Sequence, residues 1–170
     1  MKKDLDRIYE VYVDDSESDF SVKTKQRIEW ICQHVKGKQI LDVGCSQGIV
    51  PILLARQGKC VTGLDIEQEA IDFANDKKIL EENFVQENVS FICGDFQRYD
   101  FAGKVFDTIV LTEVLEHIVD VDDFIGCIKE CIHDESQIVI TVPFGINDHW
   151  DHKRTYYYGR LFRICFRRCC

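Results

Sequence analysis

Apolar residues recur along this chain with two periods, one suited to buried strands and one to amphipathic helices. The spacing of Ile28, Ile31 and Val35 predicts a helix over 21–36, with Ser21 available as its cap. The run 39–43 is short, apolar and stopped by Gly44, as a buried parallel strand would be. Helical spacing resumes over 49–57, where Pro51 falls in a first turn that has no amide bond to lose. The alternation then repeats. Residues 60–65 read as a strand, 67–82 as a helix carrying Ala70, Ile71, Phe73 and Ala74, and 89–93 as a third strand. A fourth strand over 106–111, a helix over 121–131 and a fifth strand over 137–142, closed by Pro143, complete the pattern. Strands alternating with helices predict an α/β fold, a doubly wound and mainly parallel sheet with helices on both faces.

Composition narrows the picture. With 170 residues and 45% apolar positions the chain suits one globular domain, and no run nears the roughly twenty apolar residues of a membrane span. Met1 is followed by charge rather than an apolar stretch, so a cytoplasmic protein without a membrane partner is expected. The nine cysteines form no CxxC pair, which suits buried thiols in a reducing compartment. A net charge of −9 argues against broad capture of nucleic acid. Six of the 21 basic residues lie in 153–170 with no acid among them, so the preceding chain carries −15. That basic end faces an acidic partner or is simply solvated.

Open α/β sheets bind ligands at the carboxyl ends of their strands, and the first strand ends in Asp42-Val43-Gly44-Cys45-Ser46-Gln47-Gly48. A dinucleotide loop would place glycine at 46 and 49, where Ser46 and Ile49 stand; a phosphate-cradling loop would follow Gly48 with lysine, where Ile49 stands. Asp42 would repel a pyrophosphate and attract a cation. In these features the loop resembles the first motif of the class I methyltransferases, whose cofactor S-adenosylmethionine (SAM) carries an ammonium and a sulfonium. Asp42, Gly44 and Gly48 occupy the motif's acid and glycine positions, and Ser46 replaces its middle glycine.

The resemblance continues in order. Asp65 closes the second strand, where the family's acid binds ribose hydroxyls; Gly94-Asp95-Phe96 matches the adenine-binding segment; and Thr112-Glu113 begins the motif beside the sulfonium. The resemblance covers residues 36–143 and implies a Rossmann-like fold, SAM as cofactor and S-adenosylhomocysteine as product. It also implies a cofactor site of Asp42, Gly44, Cys45, Gly48, Asp65, Ile66, Asp95, Phe96, Thr112 and Glu113. On this reading 1–36 is an N-terminal helical segment, 37–143 the cofactor-binding core and 144–170 a substrate-side end.

Methyl transfer is an in-line displacement, so the protein mainly aligns nucleophile and methyl, and a base is needed only for a protonated nucleophile. Glu113, Glu116 and His117 would share one face of a helical turn, with His117 and Glu116 as catalytic residues. The expected reaction is methylation of an oxygen or nitrogen of a small molecule. Glu113-x-x-Glu116-His117 followed by Asp151-His152-Lys153 is also similar to metal-dependent enzymes that methylate the terminal 2′-hydroxyl of small RNAs, but the same run occurs in metal-free methyltransferases of quinone biosynthesis. No metal is therefore assigned, and the negative charge opposes the RNA alternative. Glu116 and His117 could equally cap a short helix, with His152 ordering a loop. Trp150, Tyr156, Tyr157 and Tyr158, among His149, His152, Lys153 and Arg154, could line an acceptor pocket or pack a core, and Arg160 adds to their positive charge.

The family's sheet usually has seven strands, the last two forming a hairpin after the fifth; the residues after Val142 leave no room for both, and 161–166 is where a sixth would begin. A truncated or altered C-terminus is expected, with an exposed sheet edge that could pair two copies and an inactive SAM-binding module as the competing function.

Overall fold

In the computed structural model, which describes residues 7–14, 18–143, 153, 155 and 156, the apolar runs become five strands. They are β1 (Gln39–Val43), β2 (Cys60–Asp65), β3 (Val89–Cys93), β4 (Phe106–Thr112) and β5 (Ile132–Thr141). All pairings are parallel and the order is β3-β2-β1-β4-β5. The chain steps outward from β1 to β3, then returns to lay β4 on the other side of β1. The connections leaving β1 and β4 therefore diverge and open a crevice at their carboxyl ends.

Alternation along the strands feeds two cores. Ile40, Val61, Val110 and Val139 pack on one face against Ile28 and Ile31 of α2 (Asp19–His34) and Leu54 of α3 (Ile49–Arg56). Leu41, Leu64, Ile109 and Leu111 pack on the other against Phe124, Ile125 and Ile128 of α6 (Val121–Glu130). Each such side chain contributes about 1.5–3 kcal/mol on full burial, which fixes the register of the strands and so the spacing of their ends. Two further helices, α4 (Gln68–Ile79) and α5 (Asn83–Asn88), connect β2 to β3.

The structure moves several boundaries. A short α1 (Ile8–Val13) precedes α2, and the cap of α2 is Ser18 rather than Ser21: its Oγ accepts the Ser21 amide at 3.2 Å. The helix read over 67–82 is α4 and ends at Ile79, and α5 is a further helix beyond that span; between them Glu81 pairs with Arg56 of α3 at 2.6 Å, and Val85 of α5 enters the core. β5 starts at Ile132, five residues early, across a register shift between Phe106 and Thr108. There Ser136 Oγ donates to the Phe106 carbonyl at 2.7 Å and accepts the His133 amide at 2.9 Å, so polar residues continue a strand that the apolar pattern starts only at 137. The run 161–166, and with it the expectation for the later strands, lies outside the described residues. No helix among the described residues is long and apolar enough to cross a membrane.

Candidate active site

The loop after β1 is built from left-handed backbone. Gly44, Ser46 and Gly48 have φ of +73°, +45° and +79°. A Cβ on Gly48 would lie 2.6 Å from Phe91 Cζ and 2.8 Å from Ala74 Cβ, so glycine lets α3 start hard against β3 and α4. Gly48→Ala is expected to destabilise the protein by about 2–4 kcal/mol, the sum of left-handed strain and overpacking, read as a loss of several degrees in a thermal melt. Ser46 holds the same backbone region without glycine's freedom, and Asp65 secures it: Asp65 Oδ2 accepts the Ser46 amide at 2.7 Å while Oδ1 accepts the Glu67 amide at 2.9 Å. The acid closing β2 thus clamps the loop closing β1, and each of its oxygens keeps a second lone pair. Ile66 beside it is exposed.

Asp42 sits under this loop, 2% exposed, with Oδ1 buried and unpartnered among the described residues. Burial, and then the charge of Asp65, hold its carboxyl well above the usual carboxylate range. The same two causes in order, burial and the neighbouring Asp42 and Asp65, raise the Cys45 thiol, whose sulfur is turned toward Gly63 rather than the crevice.

After β4 the chain turns sharply. Glu113 is left-handed with φ +54°, its amide donates to the Thr141 carbonyl at 3.0 Å, and its carboxylate meets Arg27 of α2 at 3.3 Å. Only Leu115–His117 is helical, as a single 3₁₀ turn. The shared helical face expected for Glu113, Glu116 and His117 is therefore replaced by two directions: the left-handed residue sends Glu113 to Arg27, while Glu116 is 1% exposed. Both Glu116 carboxylate oxygens lack partners among the described residues, and burial, reinforced by Glu113, pushes its carboxyl up to about 7. Lys153 donates its amide to the Glu116 carbonyl at 2.8 Å, and Tyr156 donates its hydroxyl to the Leu115 carbonyl at 3.0 Å. Tyr156 belongs to the second core, where its hydroxyl braces the turn.

Among the described residues, the buried side-chain atoms without partners include Asp42 Oδ1, Thr112 Oγ1, Thr141 Oγ1, both Glu116 oxygens and Arg27 Nε. All belong to the carboxyl ends of β1, β4 and β5, the turn after β4, or the helix paired with that turn. Ordinary protein interiors satisfy such atoms, so their gathering at one end of the sheet makes that end the candidate site for a polar ligand.

The residues that the resemblance assigns to the adenine differ from this group. Asp95 closes a turn, accepting the Gln97 amide at 3.1 Å and meeting Arg98 at 3.4 Å. Phe96 is buried with its ring 5.0 Å from that of Phe124, so the ring belongs to the second core. Arg27 and Thr141 are additions that the motifs do not reveal, although Arg27, four residues before Ile31, places a charge beside the apolar stripe of α2. His149, Trp150, Asp151, His152, Arg154, Tyr157, Tyr158 and Arg160 lie outside the described residues.

A family model described as a methyltransferase domain matches residues 34–162. A ubiquinone biosynthesis O-methyltransferase of Coxiella burnetii is 38% identical over 96 residues, which is 55% of this chain and 39% of that protein. The human mitochondrial ubiquinone biosynthesis O-methyltransferase is 30% identical over 105 residues, 62% of this chain and 28% of its own length. The chain thus spans about two fifths of the first of these relatives, or less. Among solved structures, coclaurine N-methyltransferase bound to N-methylheliamine and S-adenosylhomocysteine superimposes with a TM-score of 0.62 at 19% identity, over 75% of this chain and 38% of that one. Magnesium protoporphyrin IX methyltransferase of Synechocystis, with bound S-adenosylhomocysteine, gives 0.58 at 22% identity, over 75% and 62%. These likenesses establish a Rossmann-like fold, and with the family model matched over most of its length the chain belongs to the methyltransferase domain family.

Proposed function

We propose that this chain binds SAM and transfers its methyl group to a hydroxyl of a small molecule, leaving S-adenosylhomocysteine. The observation that carries the reading is the cluster of unsatisfied buried polar atoms along the carboxyl ends of β1, β4 and β5. When bound, SAM supplies an electrophilic methyl on a sulfonium. Asp65 and exposed Ile66 suit the nucleoside end on the β2 side, with Asp95 and the Phe96 backbone beyond. Asp42 suits the ammonium, Arg27 the carboxylate, and the Gly44 and Gly48 turns leave room for close backbone approach.

On this reading the acceptor lies on the remaining side, toward β4 and β5, a position that the sheet order supports. A hydroxyl arrives protonated and needs a base. Glu116 offers a carboxylate poised near neutrality, with His117 beside it in the same turn. The hydroxyl is favoured over an amine for this reason, and the relatives that match by sequence are O-methyltransferases by name. The RNA alternative leans on Asp151 and His152, outside the described residues, and meets a net charge of −9.

Calorimetric titration with SAM, S-adenosylhomocysteine and NAD tests the reading. Micromolar binding of the first two, lost in Asp65→Ala, and no binding of NAD is the expected outcome. Binding of NAD in place of SAM would overturn it. Labelled SAM incubated with a small-molecule extract then separates an active enzyme from a SAM-binding module.

A further inference from the structure

The helix α1 has little of its own to hold it. Six residues are too few for a helix to persist alone in water, none of the six is buried, and Arg7 at its N-cap makes no side-chain cap bond. Its first turn leaves orphan amides, as every helix does. One of them, the Tyr9 amide, is satisfied from far along the chain: it donates to Gln47 Oε1 at 3.1 Å. Gln47 is the residue between Ser46 and Gly48 in the proposed cofactor loop, and it is 3% exposed. A side chain buried in that loop therefore does for α1 what a local cap would ordinarily do.

A second contact continues the same path. The Tyr9 ring meets Phe73 of α4 edge-on, with centroids 5.6 Å apart, and Lys77 Nζ lies 5.4 Å from the Tyr9 ring and 4.9 Å from that of Phe73. Ile8, Tyr9 and Tyr12 rest on the first core. The chain so crosses from α2, over the loop that follows β1, to α4. The first half of that loop is anchored to β2, where the Leu64 carbonyl accepts the Gly44 and Cys45 amides at 2.8 and 3.1 Å; beyond it the Ser46 amide donates to Asp65, the Gly48 amide to the Cys45 carbonyl at 2.9 Å, and the Gln47 side chain reaches α1.

We infer that Gln47 is a positioning residue that fastens α1 across the glycine loop, making α1 a latch on the cofactor. The inference rests on the SAM reading above. Its physical content is a linkage: a loop held in the ligand-binding conformation presents the acceptor that α1 needs, and a seated α1 holds the loop there, so ligand and α1 stabilise each other. Tyr9 and Phe73 supply the apolar part of the fastening and Gln47 the directional part.

Hydrogen exchange of segments 7–14 and 44–50, followed by mass spectrometry with and without saturating SAM, tests the linkage, together with stopped-flow timing of SAM release. Gln47→Met keeps the length and removes the acceptor, whereas Gln47→Glu keeps an acceptor oxygen. In the absence of SAM, segment 7–14 is expected to exchange about fivefold faster in Gln47→Met than in the wild type, the ratio that a lost helix cap implies. SAM is expected to slow exchange of that segment in the wild type and not in Gln47→Met. Release of SAM should be about fivefold faster in Gln47→Met, and Gln47→Glu should restore both behaviours. Tyr9→Ala leaves the glycine loop untouched and should loosen α1 in the same direction, which keeps the test decisive if Gln47→Met folds poorly. Equal exchange of 7–14 in the wild type, Gln47→Met and Tyr9→Ala, or unchanged SAM release with loosened α1, overturns the latch. Absence of SAM binding by the wild type overturns the functional reading instead, and the ligand-free comparison still decides whether Gln47 holds α1.

Discussion

Replacing Asp42 by asparagine is expected to weaken SAM binding by a hundredfold or more while making the ligand-free protein more stable at neutral pH. Both effects come from one carboxyl. It is buried at the end of β1, one oxygen has no partner among the described residues, and burial together with the charge of Asp65 raises its pKa. In the unfolded chain the same group titrates near its ordinary 3.8. A folded-state value above the unfolded one means that the native protein holds the proton longer, so the stability present at low pH is lost as pH rises from the ordinary value toward the raised one. Asparagine removes that loss. The Tm of Asp42→Asn should exceed that of the wild type at pH 8, by an amount equivalent to about 1–3 kcal/mol, and the gap should narrow toward pH 4. A cationic ligand offsets the cost of the buried charge, which is why the variant that gains stability loses affinity. Calorimetry and melts on one pair of samples check both halves. Unchanged SAM affinity in Asp42→Asn would remove Asp42 from the ammonium site.

Stability and function pull against each other at this end of the sheet, and the same tension explains what could be read from sequence. The runs at 39–43, 60–65 and 89–93 became strands with those bounds, because turn residues bracket apolar stretches too short for helices. The early end of α4 at Ile79 and the separate α5 were not legible: apolar Ile79 and Leu80 follow Lys77 and Lys78 without a turn residue, and the contact made by Glu81, with Arg56, belongs to another element. The start of β5 was hidden by His133, Asp134 and Glu135, polar residues whose place in the sheet depends on Ser136 bridging to β4 and on His133 meeting Asp107 at 3.2 Å.

In the proposed site, Asp42, Gly44, Gly48 and Asp65 could be named from the sequence because each is marked locally, by backbone sign or by a carboxylate at a strand end. Arg27, Thr141 and Gln47 acquire meaning only through neighbours distant in sequence: Glu113, the Thr112 strand pairing and the Tyr9 amide. The Phe96 ring went to the core for a similar reason, since Phe124 of α6 offers it a packing partner that the motif does not contain. The helical face drawn for Glu113, Glu116 and His117 assumed regular geometry through a residue that the fold holds left-handed.

That left-handed residue separates two acids that would otherwise sit together, and their separation sets the second large effect. Glu113 faces a cation at Arg27; Glu116 faces burial with neither oxygen satisfied among the described residues. Glu116→Gln keeps the shape and removes the titration. Methyl transfer to a hydroxyl acceptor at pH 8 is expected to fall by about a hundredfold or more, the usual contribution of a general base, with SAM affinity within about threefold of the wild type. The pH profile should show the same group. The wild-type rate rises through about pH 7, where the raised carboxyl loses its proton, and the rate of the variant should be flat there. Stability should move oppositely. The Glu116 carboxyl shifts from an ordinary 4.5 to about 7 on folding, so the wild type loses stability as pH climbs across that interval and the loss is constant above it. Glutamine escapes the loss, and the Tm difference between variant and wild type should open between about pH 4.5 and 7 and then level off. A variant that is slower and yet more stable above neutrality identifies a carboxylate kept buried for its chemistry. Full activity with an unchanged profile would move the proton-accepting role to His117, and an equal Tm at every pH would show that Glu116 ionises in the native protein as it does in the unfolded chain.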